Sequence, residues 1–436
     1  MKYKINTYGC QMNVHESEKL AGIMQSLGYT ETTNEDFDIV IFNTCCIRDT
    51  AEQKILSHIG KLKSKKKENP RLIIAVCGCM SQQDGKIDFI REKYPYVDII
   101  LGTNNLEQLK DSIIKLQNEH KRTFCIDTNE RPDIIENDNY YRTSGTNAWV
   151  NIMYGCNNFC TYCIVPYVRG RERSREPMDI YNEVKGLIES GYKEITLLGQ
   201  NVNSYGNDFQ DNKLDFAGLL EMLAQIKGDH RIRFMTSHPK DLNTKVIDII
   251  AKYDTLCKSI HLPIQSGSNK VLKDMNRHYT REDYLEIIKE IREKLPECGI
   301  TTDIMVGFPY ESEEDFEDTL DIVRKVRFHG AFTYIYSVRK GTKAAQMEQI
   351  PYAVKSNRIQ RLIKEQNKIT KELSRECEGK VFRVLCEDTK GNDMVCGRTD
   401  SGRLVTFKGD KSMVGNFYNV LILKSQSASL FGEIKE

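Results

Sequence analysis

The chain has 436 residues, of which 39% are hydrophobic and 29% charged, and its formal net charge is +1. This length allows two or three domains of ordinary composition, and no apolar run predicts a secretion signal or a membrane span. The fourteen cysteines are expected in a reducing cytoplasm, where metal binding is more typical than disulfide formation. The near-zero charge does not by itself indicate a nucleic-acid partner, so such a claim depends on local basic patches.

Strand and helix patterns alternate over the first 120 residues and predict a small doubly wound α/β domain, to which we assign residues 1–126. The predicted strands are Tyr3–Thr7, Ile39–Phe42, Leu72–Val76 and Asp98–Leu101, and the predicted helices lie near Glu16–Leu27, Thr50–Lys63, Ile87–Glu92 and Leu106–Leu116.

A cysteine follows each of the first three predicted strands: Cys10, Cys45 and Cys79. The carboxyl ends of parallel strands meet at one edge of an open sheet, so these thiolates are predicted to form a site with three ligands and an open position. Three unrelated buried cysteines are the alternative, but that reading does not require them to share one end of successive strands. Cys46 could replace Cys45, and Cys77 could replace Cys79, because each lies within two residues.

Residues 127–147 are polar and weakly periodic and predict a linker. Strand and helix patterns then alternate again, and we assign residues 148–376 to a second domain. Its predicted strands are Trp149–Tyr154, Ile195–Leu198, Ile232–Met235, Ile260–Ile264, Thr301–Val306 and Phe332–Tyr336, with helical patterns near Ile180–Glu189, Phe216–Ile226, Thr244–Ala251, Tyr284–Lys294 and Glu313–Val326. Six such repeats predict a partial (β/α)6 barrel with its functional groups on the loops at the carboxyl ends of the strands.

Cys156, Cys160 and Cys163 lie in the loop after the first barrel strand, in the sequence C-N-N-F-C-T-Y-C. Three thiolates from one loop suit a [4Fe–4S] cluster whose fourth iron is open to a ligand that is not protein. Structural zinc is the alternative, but it takes four protein ligands, and no further Cys or His follows nearby. The spacing, with Tyr162 before the last cysteine, resembles the radical S-adenosylmethionine (SAM) enzymes, and this resemblance makes Tyr162 a predicted cofactor-binding residue. That resemblance implies that the open iron binds SAM and that the cluster supplies the electron that releases a 5′-deoxyadenosyl radical.

Residues at three other strand exits are predicted to contact SAM because they face the proposed cluster. They are Gly199, Gln200 and Asn201 after the second strand, Gln265 and Ser266 after the fourth, and Val306 at the end of the fifth. The glycine permits close backbone approach, amides can contact the amino group or ribose of SAM, and the segment at the fifth exit can pack on the adenine. Each could instead be a loop residue without a ligand.

The last part of the chain, residues 377–436, predicts a small antiparallel β-barrel of OB-like size, a fold class that binds RNA. Its predicted strands are Val381–Leu385, Met394–Arg398, Leu404–Phe407 and Tyr418–Lys424. The helical pattern before it, between Lys355 and Arg375, carries more cations than carboxylates, although a solvated outer face is the simpler interpretation.

Motifs along nearly the whole chain resemble the radical SAM methylthiotransferases, and most closely the MiaB type. They are T-Y-G-C-Q-M-N (Thr7–Asn13), N-T-C-C-I-R (Asn43–Arg48), C-G-C-M (Cys77–Met80), V-P-Y-V-R-G-R-E-R-S-R (Val165–Arg175), L-L-G-Q-N-V (Leu197–Val202), T-S-H-P (Thr236–Pro239), H-L-P-I-Q-S-G-S (His261–Ser268), D-I-M-V-G-F-P (Asp303–Pro309) and Y-S-V-R-K-G-T (Tyr336–Thr342). By the same similarity the last domain looks like a TRAM domain. Cys46 and Cys77 are not needed by the family pattern and leave only the ligand register open.

This resemblance implies a cytoplasmic tRNA-modifying enzyme with two [4Fe–4S] clusters. The N-terminal cluster would carry the sulfur for the product, methylated by one SAM, and a second SAM on the other cluster would give the radical that removes hydrogen from C2 of an adenine. In the MiaB type that base is N6-isopentenyladenosine, next to the anticodon on its 3′ side. A flavodoxin- or ferredoxin-type electron donor and a sulfur donor are the implied partners. The alternatives are a methylthiotransferase for another adenosine derivative or a ribosomal-protein aspartate, and a non-enzymatic iron–sulfur RNA-binding protein.

Two groups of side chains are predicted to contact the tRNA anticodon stem-loop. Arg169, Arg171, Arg173 and Arg175 could bind its phosphates, or could instead anchor carboxylates within the fold. Phe308 and Tyr336 are the candidates for an apolar wall around the isopentenyl group, and their alternative role is that of ordinary core aromatics.

Overall fold

A computed structural model of the chain describes residues 1–46, 49–129, 140–142, 145–210, 214–391 and 393–435, without the side chains of residues 49–51. Most of the predicted linker at 127–147 lies outside these residues. The chain divides into two compact units. Unit 1 comprises Met1–Thr143, Met153–Phe159 and Cys163–Arg173, and unit 2 comprises Ser144–Ile152, Cys160–Tyr162 and Ser174–Glu436. Among the described helices, none combines the length and apolar character needed to cross a membrane.

A six-stranded parallel sheet forms the frame of unit 1, in the strand order β2-β1-β3-β4-β5-β6. The strands are β1 (Lys2–Thr7), β2 (Thr30–Glu31), β3 (Ile39–Thr44), β4 (Ile73–Gly78), β5 (Ile99–Leu101) and β6 (Thr123–Cys125), and the helices are α1 (Gln11–Ser26), α2 (Asp49–Glu68), α3 (Lys86–Lys93) and α4 (Leu109–Glu119). The predicted doubly wound α/β domain is confirmed. The short edge strands β2 and β6 were not predicted.

Each face of this sheet carries its own apolar core. On one face Ile41 packs with Leu20 of α1 and Ile113 of α4, and on the other Val76 packs with Ile59 of α2. The central strands β3 and β4 are buried along their whole length because helices cover both faces. This explains why they read as continuous apolar runs in the sequence.

Six parallel strands form the partial barrel of unit 2, in two three-stranded sheets ordered β11-β10-β7 and β12-β13-β14. The elements from here to the barrel's end are β7 (Asn147–Asn151), β8 (Met153–Tyr154), α5 (Val165–Arg169), β9 (Arg173–Ser174), α6 (Pro177–Glu189), β10 (Glu194–Leu198), α7 (Phe216–Ala224), β11 (Arg231–Phe234), α8 (Thr244–Lys252), β12 (Ser259–His261), α9 (Asn269–Asp274), α10 (Arg281–Lys294), β13 (Gly299–Val306), α11 (Glu313–Val326), β14 (Gly330–Ile335) and α12 (Tyr352–Arg375). A parallel bridge between Ile232 and Leu256 joins the two sheets. The predicted (β/α)6 order is therefore confirmed.

Five strands close into a small barrel at the end of unit 2, in the order β15-β16-β17-β19-β18. They are β15 (Val381–Thr389), β16 (Met394–Thr399), β17 (Leu404–Lys408), β18 (Phe417–Gln426) and β19 (Ser429–Ile434). The barrel was predicted as antiparallel, but β17 and β19 pair in parallel. The sequence did not predict β19, which contains Gly432, because glycine usually weakens a strand pattern. Here a Cβ at Gly432 would collide with the carbonyl of Leu421, so close strand approach requires the glycine.

A buried arginine joins this small barrel to the strands of the larger one. Arg231 of β11 is fully buried, and its Nε donates to Glu194 at 2.6 Å while its Nη1 donates to Asp400 at 3.1 Å. The same Nη1 donates to the carbonyl of Arg398 at 2.9 Å. Gly299, the first residue of β13, leaves no room for a side chain against the carbonyl of Ser401. The two barrels therefore pack as one body within unit 2.

Candidate metal centres

Three strand ends bring the N-terminal cysteines to one edge of the sheet in unit 1. Strands β1, β3 and β4 are neighbours, and Cys10, Cys45 and Cys79 come after their carboxyl ends. Gly9 has a φ of +124°, and a Cβ there would lie 2.8 Å from the Cβ of Cys45. Gly78 has a φ of +94°, and a Cβ there would lie 2.7 Å from the backbone of β3. The glycines of the T-Y-G-C and C-G-C motifs thus allow the three cysteine segments to approach one another.

Two buried asparagines tie these segments together. Asn13 Nδ2 donates to Asn43 Oδ1 at 3.1 Å and to the carbonyl of Thr44 at 3.0 Å. In return, Asn43 Nδ2 donates to the carbonyl of Asn13 at 2.8 Å and to Ser17 Oγ at 3.0 Å. The Cys10 thiol lies 3.4 Å from Asn13 Oδ1. These asparagines fix the loops that carry the cysteines, a role that sequence reasoning did not assign although both residues stand in the quoted motifs.

The alternative ligands lie in different environments. Cys77 belongs to a sheet core, its Sγ is 3.5 Å from a carbonyl of β3, and burial raises its pKa. Cys46 packs against Cys79. The pKa of Cys79 is lowered by a hydrogen bond with the Cys46 thiol and by the charge of Arg169, and burial opposes this lowering. Cys45 is buried beside them and contributes to a raised pKa of Cys46. Cys45, Cys46 and Cys79 therefore lie together at this edge, apart from Cys77.

Arg169, at the end of α5, lies among these thiols rather than at the surface. It is 5% exposed, and its Nη1 donates to Glu16 Oε1 at 2.7 Å. Within the described residues, neither Arg169 Nη2 nor Glu16 Oε2 has a hydrogen-bond partner. Burial raises the pKa of Cys10, and the positive charge of Arg169 opposes that rise. A cation placed here suits thiolates, which carry negative charge.

The other arginines of the predicted RNA cluster also have internal contacts. Arg175 is buried, and its Nη1 donates to the carbonyl of Asn151 at 2.6 Å and to Glu183 at 2.8 Å. Arg173 is buried and its Nη2 donates to a backbone carbonyl at 3.2 Å. Only Arg171 is half-buried, with its guanidinium over an aromatic ring. Arg169 and Arg175 thus contact carboxylates, as the alternative interpretation of the sequence expects, and the RNA contact of the four arginines stays a prediction.

In unit 2, Cys160 is buried against the guanidinium of Arg277. Arg277 Nη1 donates to Cys160 Sγ at 3.5 Å, Nη2 donates to the carbonyl of Pro263 at 2.7 Å, and Nε donates to Tyr279 Oη at 3.0 Å. Thr161, the next residue, donates through its hydroxyl to the carbonyl of Asp274 at 2.9 Å. Sequence reasoning missed Arg277, which follows α9 without any periodic pattern.

In unit 1, Cys156 and Cys163 are both half-buried. The Cys156 amide donates to the carbonyl of Gly170 at 3.1 Å, and a side chain at Gly155 would collide with the carbonyl of Arg171. The described residues contain no group of three His, Cys, Asp or Glu side chains arranged to hold one metal ion. A [4Fe–4S] cluster does not need such a group, since each thiolate binds a different iron.

The residues predicted to contact SAM after the second barrel strand are partly used by the fold. Asn201 is buried and its Nδ2 donates to Asp241 Oδ2 at 2.7 Å. The carbonyl of Gly199 accepts a hydrogen bond from Thr236 Oγ1 at 2.5 Å. Gln200 is half-buried. Of these three positions, Gln200 and the backbone of Gly199 fit a ligand contact better than the Asn201 amide.

At the fourth and fifth strand exits, the predicted SAM contacts are buried, and the backbone of Gln265 is hydrogen-bonded to β13. Gln265 has a φ of +69° and forms a parallel bridge with Ile304. Ser266 is fully buried, with its Oγ 3.3 Å from Thr319 Oγ1, so its hydroxyl serves the core rather than a ligand. Val306 is fully buried as well. The contacts of Ser266 and Val306 with SAM stay predictions.

Tyr162 of the cysteine loop packs against an aromatic pair in unit 2. Phe308 and Tyr336 have ring centroids 5.5 Å apart, and both are buried in a cluster that also contains Met275 and Ala344. Their placement fits the alternative of ordinary core aromatics. Within unit 2, Tyr162 thus packs on residues that follow β13 and β14.

Known families match three regions of the chain. The Radical SAM superfamily matches residues 150–323, the Uncharacterized protein family UPF0004 matches residues 2–102, and the TRAM domain matches residues 375–435. A protein of Clostridium botulinum named tRNA-2-methylthio-N(6)-dimethylallyladenosine synthase is 52% identical over 437 residues, covering 99% of this chain and 96% of the relative. This chain belongs to that synthase family. Relatives with the same name in Desulforamulus reducens and Clostridium perfringens are 50% and 51% identical, each over 99% of this chain and over 95% and 97% of their own length.

Solved structures support the fold of this family member. The radical SAM methyltransferase TsrM of Kitasatospora setae, solved with cobalamin and a [4Fe–4S] cluster, matches 79% of this chain and 73% of its own with a TM-score of 0.58 at 14% identity. The cobalamin-dependent SAM radical enzyme OxsB matches 84% of this chain and 56% of its own with a TM-score of 0.53 at 13% identity. At such identities the likeness is one of fold alone.

Proposed function

We propose that this chain is a tRNA (N6-isopentenyladenosine-C2)-methylthiotransferase. Relatives that match almost its whole length carry the name of that synthase. The observation that carries the proposal is the presence of two separate cysteine sets, one at the sheet edge of unit 1 and one on the loop after β8. One cluster would suffice for a radical enzyme, and the second set gives the transferred sulfur its own site.

The two cysteine sets have different tasks in this proposal. Cys156, Cys160 and Cys163 hold one [4Fe–4S] cluster with an iron open to SAM, and Arg277 donates to the Cys160 sulfur. The N-terminal set, Cys10, Cys45 and Cys79, holds the other cluster. When bound, the two clusters and SAM supply a methylated sulfur and a 5′-deoxyadenosyl radical.

The surroundings of the thiols support one of the two open ligand choices in the N-terminal set. Cys79 is preferred to Cys77, because Cys77 lies in a sheet core while Cys79 lies near Cys10 and Arg169. Cys45, the first residue after β3, is the proposed third ligand, and Cys46 beside it packs against Cys79 and stays the alternative. The glycines before Cys10 and Cys79 hold these segments close.

The tRNA partner is supported by the TRAM barrel rather than by the arginine cluster. Lys408, Lys411 and Lys424 are exposed on this barrel and can neutralise backbone phosphates. The first cations of α12 are not available in the same way, since Arg358 donates to Glu311 Oε2 at 2.8 Å. A cytoplasmic location, an external sulfur donor and a flavodoxin- or ferredoxin-type reductant complete the proposal.

The proposal is tested in a bacterial strain that lacks its own methylthiotransferase and expresses this chain. Mass spectrometry of tRNA nucleosides should show 2-methylthio-N6-isopentenyladenosine with the intact chain and only N6-isopentenyladenosine with the Cys156→Ala variant. Purified enzyme is offered tRNA and ribosomal protein in parallel. Methylthio groups on a protein aspartate, with none on tRNA, would replace the proposal by the ribosomal-protein alternative.

A further inference from the structure

Arg169 is a buried cation in unit 1. It is 5% exposed and has one carboxylate partner, Glu16, at 2.7 Å. Its Nη2 and the second oxygen of Glu16 make no hydrogen bond to any described residue. Burying such groups without partners costs free energy, so a native fold that retains them usually has a use for them.

Besides Glu16, the charged or ionisable groups that interact with Arg169 are the thiols of Cys10 and Cys79. Val168, the residue before it, packs against Cys46 and Cys79. The carbonyl of Val168 accepts a hydrogen bond from Thr103 Oγ1 at 2.7 Å, which fixes the end of α5 from a different part of the sheet. The guanidinium is therefore held in place from two sides, by Glu16 through its Nη1 and by the anchored backbone of α5.

An anionic sulfur group is the ligand chemistry that this arrangement fits. A [4Fe–4S] cluster with three thiolates carries net negative charge, and hydrogen bonds to its sulfurs and nearby charges set its reduction potential. A guanidinium offers several N–H donors in a fixed plane, so one edge can bind Glu16 while the other donates to sulfur. A free RNA phosphate cannot reach a side chain that is buried to this extent.

We propose that Arg169 is a positioning residue for the sulfur site of the N-terminal cysteines. Its Nη2 donates to a thiolate or sulfide of the cluster bound by Cys10, Cys45 and Cys79, and Glu16 orients it. This role rests on the proposed function, because it requires the second cluster. It also reassigns Arg169, the first arginine of the V-P-Y-V-R-G-R-E-R-S-R motif, from RNA binding to the sulfur chemistry.

The test isolates the N-terminal cluster in the full chain with Cys156→Ala, Cys160→Ala and Cys163→Ala. Arg169→Gln, Arg169→Lys and Glu16→Gln are then introduced into this background, and each protein is reconstituted with iron and sulfide. We compare the iron content and the midpoint potential of the cluster, which is measured by electron paramagnetic resonance. Arg169→Gln removes a positive charge and should shift the potential to more negative values and lower the iron below about four per chain. Glu16→Gln removes a negative charge and should shift the potential in the opposite direction. Arg169→Lys should lie between Arg169→Gln and the unsubstituted background.

Controls separate the outcomes. Arg91→Gln, on the exposed face of α3, should change neither iron content nor potential. A purely structural role would lower iron content in both Arg169→Gln and Glu16→Gln without opposite potential shifts, and would overturn the inference. So would a loss of tRNA affinity in Arg169→Gln with an unchanged cluster. If the background itself binds no iron, the second cluster of the proposed function is wrong and this role falls with it.

Discussion

Each cysteine set has a buried arginine beside one of its thiols, but the two arginines have different partners. Among the described residues, Arg277 donates to Cys160 and to two neutral oxygens, a proline carbonyl and a tyrosine hydroxyl. Arg169 is instead paired with a carboxylate, Glu16. The positive charge of Arg277 therefore acts mainly on the Cys160 thiol, whereas the positive charge of Arg169 is partly neutralised by the Glu16 carboxylate. The difference teaches that the two sites are held by different electrostatic means, although both depend on cysteine.

Replacing a complete cysteine set is expected to have the largest effect and to separate the two sites. Cys156→Ala, Cys160→Ala and Cys163→Ala together should abolish 5′-deoxyadenosine formation. Cys10→Ala, Cys45→Ala and Cys79→Ala together should leave some SAM cleavage but no methylthio product, because only this set serves the transferred sulfur. Iron should fall from about eight to about four per chain in each triple variant. Methylthiolated tRNA from the N-terminal triple variant would contradict the division of tasks.

Replacing the isopentenylated adenine of the substrate by an unmodified one should have the next largest effect. It should slow product formation more than SAM cleavage. Burying a five-carbon isopentenyl group can contribute about 2–4 kcal/mol at roughly 0.8 kcal/mol per carbon. Unmodified anticodon stem-loops should then react about 30-fold to 1000-fold more slowly than isopentenylated ones if the difference is expressed in the transition state. Single-turnover rates on the two RNAs measure this. Equal rates would remove the MiaB-type substrate and leave the methylthiotransferase chemistry.

Substituting Arg277 should weaken the radical site selectively. A hydrogen bond to a charged group contributes about 1.5–3 kcal/mol, so Arg277→Gln should slow SAM cleavage by about 10-fold to 100-fold. The measurement uses the full chain with Cys10→Ala, Cys45→Ala and Cys79→Ala, so that only the radical cluster is present. Arg277→Lys keeps the charge but loses two hydrogen bonds, and should retain more activity than Arg277→Gln. Equal activity of Arg277→Gln and the background would show that the contact with Cys160 has no electrostatic role.

Substituting lysines of the TRAM barrel is expected to have the smallest effect. Iron binding by both cysteine sets should be unchanged. Lys408→Glu with Lys411→Glu should weaken tRNA binding and reduce the slope of its salt dependence, because phosphate contacts release counterions. Lys61→Glu with Lys63→Glu, on the exposed part of α2, is the matched control. Substitution is preferable to removing the whole barrel, since removal would leave the buried Arg231 without Asp400. Unchanged affinity at two salt concentrations would assign the barrel another task.

Much of the fold could be predicted because its signals are local. Helix α11 has the predicted bounds, and its start is set by a capping box between Ser312 and Asp315. The cysteine spacing of the radical loop and the cysteines after β1, β3 and β4 were likewise visible in the chain. Short edge strands such as β6 have too few residues to give a pattern.

Long-range polar contacts could not be predicted in the same way. Glu16 and Arg169 are 153 residues apart in sequence, and nothing near either residue indicates the other. The sequence therefore leaves the arginines after the radical loop with two interpretations, phosphate binding or anchoring of carboxylates. Arg277 was missed for the same reason, since its partner Cys160 lies 117 residues earlier. Burial and hydrogen-bond partners, which depend on the whole fold, distinguish such residues from surface cations.

Helix α5 has a consequence for how this part of the chain can vary. It begins two residues after Cys163 and ends at Arg169. An α-helix rises about 1.5 Å and turns about 100° per residue. These five residues therefore fix both a length of about 7.5 Å and the direction in which the Arg169 side chain leaves the helix. One inserted residue would turn the Arg169 guanidinium away from Glu16. Substitution of the exposed Tyr167 would leave the direction of the Arg169 side chain unchanged. The length of this segment should thus be under stronger constraint than the identity of its outward-facing residues.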